Sequence, residues 1–354
     1  MGNACNSSGR QQSSYLGDEG EGQAVATEGP VLHSGPVLGV ASCGGMTLSC
    51  SDDQRLCMFD WSGASETRYF LGHERAVNRA AVADGFVWSV SRDLSLRQWS
   101  AETASPLQTI AQTHELNVSS VAARSGCSRV FTGSRDYHCK GWDIETGKCI
   151  ADFSSPRNIV TALEFEADCA GNQLYQASED LCVRVWDSRK SLASVPAIHI
   201  TGFVYFPLCI AMHPDGHLMA TGCKGFNSVG CEVKLWDLRM PSKPLAEFSG
   251  HSQDVTGCKF SVDGKALVSV SKDGSIFSWN LASSSPSPRL AQLSTGKIFS
   301  SLATVGESLL FAAGCFDGSL ALIAANGSAL QVQQATAPGF VIDTDAEAEA
   351  ARRA

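Results

Sequence analysis

Seven times along the chain the same short phrase returns and closes on a bulky residue followed by a small one. The closings are Phe59-Asp60, Trp99-Ser100, Trp142-Asp143, Trp186-Asp187, Trp236-Asp237, Trp279-Asn280 and a degenerate Ile323-Ala324. Successive closings lie 40, 43, 44, 50, 43 and 44 residues apart. A period of that size means equal supersecondary units, none of which can bury its apolar face alone, so the units must stack on one another. At 354 residues, length alone would suggest two domains of ~150 residues. The repeat overrides that expectation, because stacked units share one structure.

The sixth unit shows the content of the phrase. His251 precedes an apolar run at 255–260, and Asp263-Gly264 supplies a tight turn. A second run at 266–271 meets a second turn, Lys272-Asp273-Gly274, and a third run at 275–279 ends on Trp279. Units two and three repeat the pattern, with Gly72-His73, Ser91-Arg92-Asp93 and Trp99, then His114, Ser134-Arg135-Asp136 and Trp142. A unit of three or four short strands with a Gly-His opening and a Trp-Asp ending resembles the WD40 repeat family. The resemblance covers residues 31 to about 324 and implies an all-β, seven-bladed propeller. It also implies a role for the recurring polar residues. The second-turn aspartates (Asp53, Asp93, Asp136, Asp180, Asp273, Asp317) would accept from the unit's histidine, which connects onward to a Ser or Thr and then to the Trp. A satisfied network of this type fixes one register, whereas a broken one costs more than an apolar core. His73, His114, His251, Trp99, Trp142, Trp186, Trp236 and Trp279 are therefore expected to be structural with their aspartates. Asp93 beside His73 is a scaffold pair and not half of a catalytic triad.

Two units depart from the phrase. The fourth has Arg157-Asn158 where the histidine is expected. The fifth is read as keeping His199 and Trp236 but lacking the turn aspartate, in whose place runs a Gly-rich stretch, 224–232, with extra residues at 202–208. Loops carry binding in such scaffolds, although a surface insertion is also tolerated at little entropic cost. In the seventh unit, 319–324, the Asn326-Gly327 turn and 329–333 read as a closing hairpin. The outer strand of the last blade is therefore expected from the C-terminal side. A strand near 25–32 is the alternative, and Pro30 counts against it. The expected organisation is a disordered tail at 1–29, poor in apolar periodicity, a propeller at 30–335, and a flexible acidic tail at 336–354.

The composition narrows the function. Net charge is -9, the wrong sign for general nucleic-acid binding, which needs phosphate-neutralising Lys and Arg. The 14 cysteines include no Cys-x-x-Cys pair, and several (Cys50, Cys139, Cys182, Cys258) fall within apolar runs as small hydrophobes. Nothing resembling a signal peptide opens the chain, so a reducing, intracellular setting is expected. No apolar run reaches the ~20 residues of a membrane span. No P-loop, Gly-x-Ser-x-Gly or dinucleotide fingerprint is present, and no enzymatic activity or cofactor is expected. His213 and His217 have zinc-like spacing, but the Pro214-Asp215-Gly216 turn between them and the lack of a third ligand argue against a metal. Nothing in the sequence demands self-association, and a monomer is expected.

Two features carry chemistry. The chain opens Met1-Gly2-Asn3-Ala4-Cys5-Asn6-Ser7, so removal of Met1 would expose Gly2 to N-myristoylation. The usual pattern puts Ser or Thr at the sixth position, where Asn6 stands here. One acyl chain anchors only marginally, and the acidic tail has no polybasic patch, which leaves S-palmitoylation of Cys5 as the second anchor. The other feature is the residue before each turn aspartate. Arg92, Arg135 and Lys272 are basic at equivalent positions, with Glu179 as the exception, and Arg157 and Lys224 are candidates to join them. Such a ring could take an acidic or phosphorylated peptide, and the alternative is a set of solvated surface charges.

A finer likeness lies in the departures. Arg157-Asn158-Ile159-Val160-Thr161, then Ser178-Glu179-Asp180 leading to Trp186-Asp187-Ser188-Arg189, then Gly225-Phe226 leading through Gly230-Cys231-Glu232 to Trp236-Asp237-Leu238-Arg239, are similar to the WD repeat-containing protein 31 family. That resemblance implies a non-enzymatic regulator of ciliary or flagellar trafficking, working at the membrane with intraflagellar transport machinery and GTPase-regulating proteins. The other reading kept open is a soluble subunit or substrate receptor of a multiprotein complex, such as a ubiquitin ligase or a motor complex.

Overall fold

The structure is a computed structural model, and it describes residues 29–153, 157–165, 172–190, 196–281, 289–306, 309–326 and 329–338. Among the described residues, twenty-eight strands form seven four-stranded antiparallel sheets, each from consecutive strands in the order inner to outer. The blades span 37–70, 77–110, 118–153, 160–200, 207–248, 255–294 and 299–335. Each inner strand packs against the inner strand of the next blade, and that of blade seven packs against that of blade one, which closes the ring.

The second strand of each blade explains why the ring is stable. Runs such as Phe86–Ser91, Arg129–Ser134 and Ala266–Ser271 are buried along five successive residues, because both faces of the sheet are covered by neighbouring blades. The apolar clusters accordingly lie between blades. Leu48, Leu56, Met58 and Phe70 of blade one meet Val77, Val87 and Trp99 of blade two. In five blades the second strand ends on a serine whose hydroxyl donates to the loop opening that blade, as Ser91 Oγ does to the Arg75 carbonyl at 3.0 Å.

All seven inner strands carry a register shift between their first and third residues. In four blades the residue skipped by the ladder is turned toward the next blade. Asn78, Ser119, Thr161 and Thr256 each donate from the side chain to the first carbonyl of the following inner strand, that of Val118, Val160, Pro207 and Phe299. Four seams are thereby stitched at the same position.

The seventh blade is completed by Ala329–Ala335, so its outer strand comes from the C-terminal side. The N-terminal segment contributes only a one-residue parallel bridge, Val31 to Ala337, with the Ala337 amide donating to the Pro30 carbonyl at 3.2 Å. Leu32 inserts among Val37, Trp61, Val305 and Leu320 at the seam. Thr336 is 3 % exposed, and its hydroxyl accepts from the Leu320 amide at 2.8 Å. Ordered contacts therefore run on through Thr336 and Ala337. Of the expected tails at 1–29 and 336–354, residues 1–28, with Gly2 and Cys5, and 339–354 lie outside the described residues.

Candidate functional site

Loops joining one blade to the next and loops joining second to third strands share one end of the ring, here the top face. The polar networks sit just beneath it. In blade two, His73 Nδ1 lies 2.8 Å from Asp93 and His73 Nε2 lies 2.7 Å from Ser89 Oγ, which also accepts from Trp99 Nε1 at 2.8 Å. Ser89 Oγ thus accepts from Trp99 and donates to Nε2, and Nδ1 carries the proton given to the carboxylate. Every member is satisfied only with neutral imidazole in that tautomer. Blade three repeats this with His114, Asp136, Thr132 and Trp142. In blade six, His251 Nδ1 reaches Ser275 Oγ at 2.7 Å and Asp273 only at 3.7 Å, so the serine hydroxyl relays the contact, while Ser269 Oγ bridges His251 and Trp279.

The other four blades vary the network. In blade one His33 contacts Asp53 at 3.1 Å and Ser49 at 2.7 Å, a pair that the sequence reading did not name. Its spacings of 20 and 16 residues match those of blade two, which is the signal that reveals it. The Trp here is Trp61, two residues late, bonded to Thr47 at 2.8 Å. In blade four Asp180 takes a bidentate pair from Arg184 at 3.1 and 2.6 Å, and Trp186 donates to Gln176 Oε1 at 2.6 Å. In blade seven Lys297 Nζ bonds Asp317 at 3.0 Å and Ser319 at 2.7 Å, taking the histidine's place.

Blade five needs a correction. His199 is not its network histidine. His199 lies in Ile198–Ile200, the outer strand of blade four, where it is exposed and paired with Arg184. The position belongs to Phe203, 5 % exposed and 4.9 Å from Trp236 between ring centroids. An apolar ring there requires no aspartate, which explains why this blade lacks one. Trp236 keeps its bond, to Thr221 at 3.0 Å.

These environments shift the ionisable groups. Burial alone raises the Asp93, Asp136 and Asp273 carboxyls, yet the hydrogen bonds from His73 and His114, the imidazole of His251 close to Asp273, and nearby serine and backbone donors outweigh it and hold all three well below the usual range. Burial pushes the His73 and His251 imidazoles below their ordinary value against the pull of Asp93 and Asp273. Both shifts mean that the unfolded chain binds more protons than the folded one below pH ~6.5, so stability falls as pH falls. The carboxylate part is present above the unfolded value of ~3.9 and is lost below it. Phe203 shows that phenylalanine fits the histidine position, so a His73→Phe/His251→Phe variant is the control. Between pH ~7 and ~5 the wild-type melting temperature should drop by more than that of the double variant. Equal drops would show that the imidazoles do not titrate with unfolding.

Above the networks, the positions preceding the turn aspartates ring the mouth of the central channel. In blade order they are Asp52, Arg92, Arg135, Glu179, Lys224, Lys272 and Phe316. Arg92, Arg135, Lys224 and Lys272 line a cavity of about 590 Å³ at this mouth, and Arg157 does not. The charge is partly answered from within. Arg92 lies 3.3 Å from Asp52, an acid at an equivalent position that the sequence reading did not count, and Lys272 lies 3.1 Å from Asp254. Lys224 sits over the Phe206 ring at 4.8 Å. Arg135 makes no ion pair among the described residues, and it is exposed.

Seven such sheets with this repeated polar network define a seven-bladed propeller of WD40 repeats. The family profile described as WD domain, G-beta repeat matches residues 104–143, 199–237 and 242–280. Among curated proteins, the chain is 28 % identical over 265 residues to Nuclear distribution protein PAC1 of Arthroderma otae, covering 66 % of this chain and 56 % of that one. It is 27 % identical over 255 residues to a Ribosome biogenesis protein WDR12 homolog of Drosophila pseudoobscura pseudoobscura, covering 66 % and 58 %. It is 26 % identical over 218 residues to a WD repeat-containing protein 91 homolog of Dictyostelium discoideum, covering 60 % and 27 %. The chain thus spans little more than half the length of the first two relatives. Their names point to nuclear distribution and ribosome biogenesis, not to the cilium.

Proposed function

We propose that this chain is a non-enzymatic adaptor, a propeller subunit of a multiprotein complex that holds an acidic or phosphorylated segment of a partner over the top mouth of its channel. The observation that carries this is the gathering of Arg92, Arg135, Lys224 and Lys272 around one mouth of a chain whose net charge is -9. Guanidinium and ammonium groups set around a concavity favour carboxylate or phosphate and steer it there. The relatives' names, which speak of assembly and distribution rather than of a reaction, agree with a complex subunit or substrate receptor.

A second reading rests on Met1-Gly2-Asn3-Ala4-Cys5. Myristate on Gly2 and palmitate on Cys5 would tether the same adaptor to a membrane, in line with the ciliary trafficking, intraflagellar transport and GTPase-regulating partners that the WD repeat-containing protein 31 likeness implies.

One experiment addresses both. Affinity capture is compared for wild type, Arg92→Glu/Arg135→Glu, and Lys265→Glu, the last an exposed charge on the opposite face. Partners held by wild type and Lys265→Glu should fall by about tenfold or more with the double variant. Undiminished capture by the double variant would sink the top-mouth reading. Parallel labelling with clickable myristate and palmitate, on wild type, Gly2→Ala and Cys5→Ser, decides the tether. Absence of label on wild type removes the second reading and leaves the first intact.

A further inference from the structure

The stretch 224–232 of blade five folds as a small rigid hairpin rather than as a slack insertion. Phe226 and Val229 exchange backbone hydrogen bonds at 3.0 and 3.1 Å around Asn227 and Ser228, whose φ values are 51° and 62°. Two consecutive positive φ values make the tight turn that suits hairpins, and a serine in that region is uncommon. The hairpin is held from the neighbouring blade. The Ser228 amide donates to the Ser252 carbonyl at 3.0 Å, the Gly225 amide to Asp254 Oδ1 at 3.1 Å, and Phe226 bridges Gln253. On its other side the Tyr205 ring packs against Gly230, so closely that a β-carbon there would come within 2.3 Å of it.

What this scaffolding presents is apolar. Residues paired directly across a hairpin project from the same face, so the Phe226 and Val229 side chains stand together. They are 63 % and 55 % exposed, and Val204 and Tyr205 beside them are 75 % and 38 % exposed. A loop that fixes its backbone with six hydrogen-bonding or packing contacts and yet turns an aromatic ring to water is shaped for something other than its own stability. The hairpin begins at Lys224, and Asp254, which anchors it, is the ion-pair partner of Lys272, so the apolar group adjoins the basic half of the channel mouth.

We infer that the blade-five hairpin is the specificity element of the top face, an apolar shelf that selects acidic partner segments carrying one large apolar side chain. The apolar side chain rests on Phe226, Val229 and Tyr205, while the flanking carboxylates face Lys224 and Lys272. Charge alone accepts any acidic segment, and the shelf discriminates among them. This inference rests on the reading that the basic mouth receives an acidic segment.

The test uses the full chain and synthetic fluorescent peptides of one acidic sequence that differ only in a central Phe, Ala or Lys. Wild type should bind the Phe peptide about tenfold more tightly than the Ala peptide, with both affinities falling as salt rises. Phe226→Ser, at an exposed position, should erase that preference and leave Ala-peptide binding unchanged. Lys224→Glu/Lys272→Glu should weaken both. Equal binding of the Phe and Ala peptides by wild type overturns the shelf and leaves the basic mouth standing. Failure of every acidic peptide to bind overturns both. A neutral Phe peptide bound as tightly as the acidic one overturns the acidic partner. Concentration-dependent dimers that Phe226→Ser abolishes would show that a second copy of this chain occupies the shelf instead.

Discussion

Asp180→Ala should lower the unfolding free energy by about 3–5 kcal/mol, more than any other single substitution in the polar networks. Arg184 is 5 % exposed, and its guanidinium meets the Asp180 carboxylate at 3.1 and 2.6 Å. In blades one, two, three and six the aspartate's partner is a histidine, which can stay uncharged when the aspartate is gone, and in blade seven it is Lys297, whose side chain is 32 % exposed. Arginine keeps its charge at any working pH, so loss of Asp180 leaves an unpaired ion nearly enclosed between blades three and four. The same carboxylate accepts from the Arg157 amide at 3.0 Å, and that donor would also be stranded. Removing both charges should recover most of the loss, because replacing a buried pair with apolar groups is commonly neutral. Urea unfolding of Asp180→Ala, Arg184→Met and the double variant is the measurement. A double variant as unstable as the two singles combined would place the stability somewhere other than in this pair.

The second large effect is expected at the closing seam. Gly314 lies in Leu310–Cys315, the second strand of blade seven, and faces the inner strand of blade one. A β-carbon there would come within 2.6 Å of Val37 Cγ1 and 2.8 Å of Val40 Cγ2. Valine adds two further methyl groups to a gap already too small for one. Crowding of this kind usually costs about 1–3 kcal/mol, and at the upper end where backbone must shift. Here the blades must part, because the strands on both sides are sandwiched. Gly314→Val should therefore lose about 3 kcal/mol and speed amide exchange first in 37–43 and 310–315. Gly45→Val, with nothing within 4 Å of its β-carbon, should leave both unchanged. Equal stability of the two variants would mean that the seam is slack.

Much of this architecture is legible in the chain because each blade is written contiguously. Six of seven turn aspartates and the Trp closings recur at a fixed period, and the networks follow from them. What the sequence conceals is substitution by unlike chemistry. Lys297 takes a histidine's place 20 residues before Asp317, and Phe203 takes another's, where an apolar ring needs no acid. His199 misleads because the outer strand that holds it has only three residues, too few for periodicity to mark. His33 escapes notice since no glycine precedes it and its blade closes on Phe59. The blade-five hairpin is also hidden, because Asn227-Ser228 is a weak turn signal and its anchors, Ser252 and Asp254, belong to the next blade.

Closure by abutting rather than by exchange of strands has a consequence for how the ring is made. No blade waits for residues from the far end of the chain, so each sheet can pair fully as soon as its own forty-odd residues have left the ribosome. Strand pairing stays within each blade's own residues; the far-separated contacts are few, such as Val31 with Ala337, Val37 with the last blade and Lys259 with Glu164. The growing protein is then an open arc that lengthens blade by blade, and its final event is a docking of two finished edges.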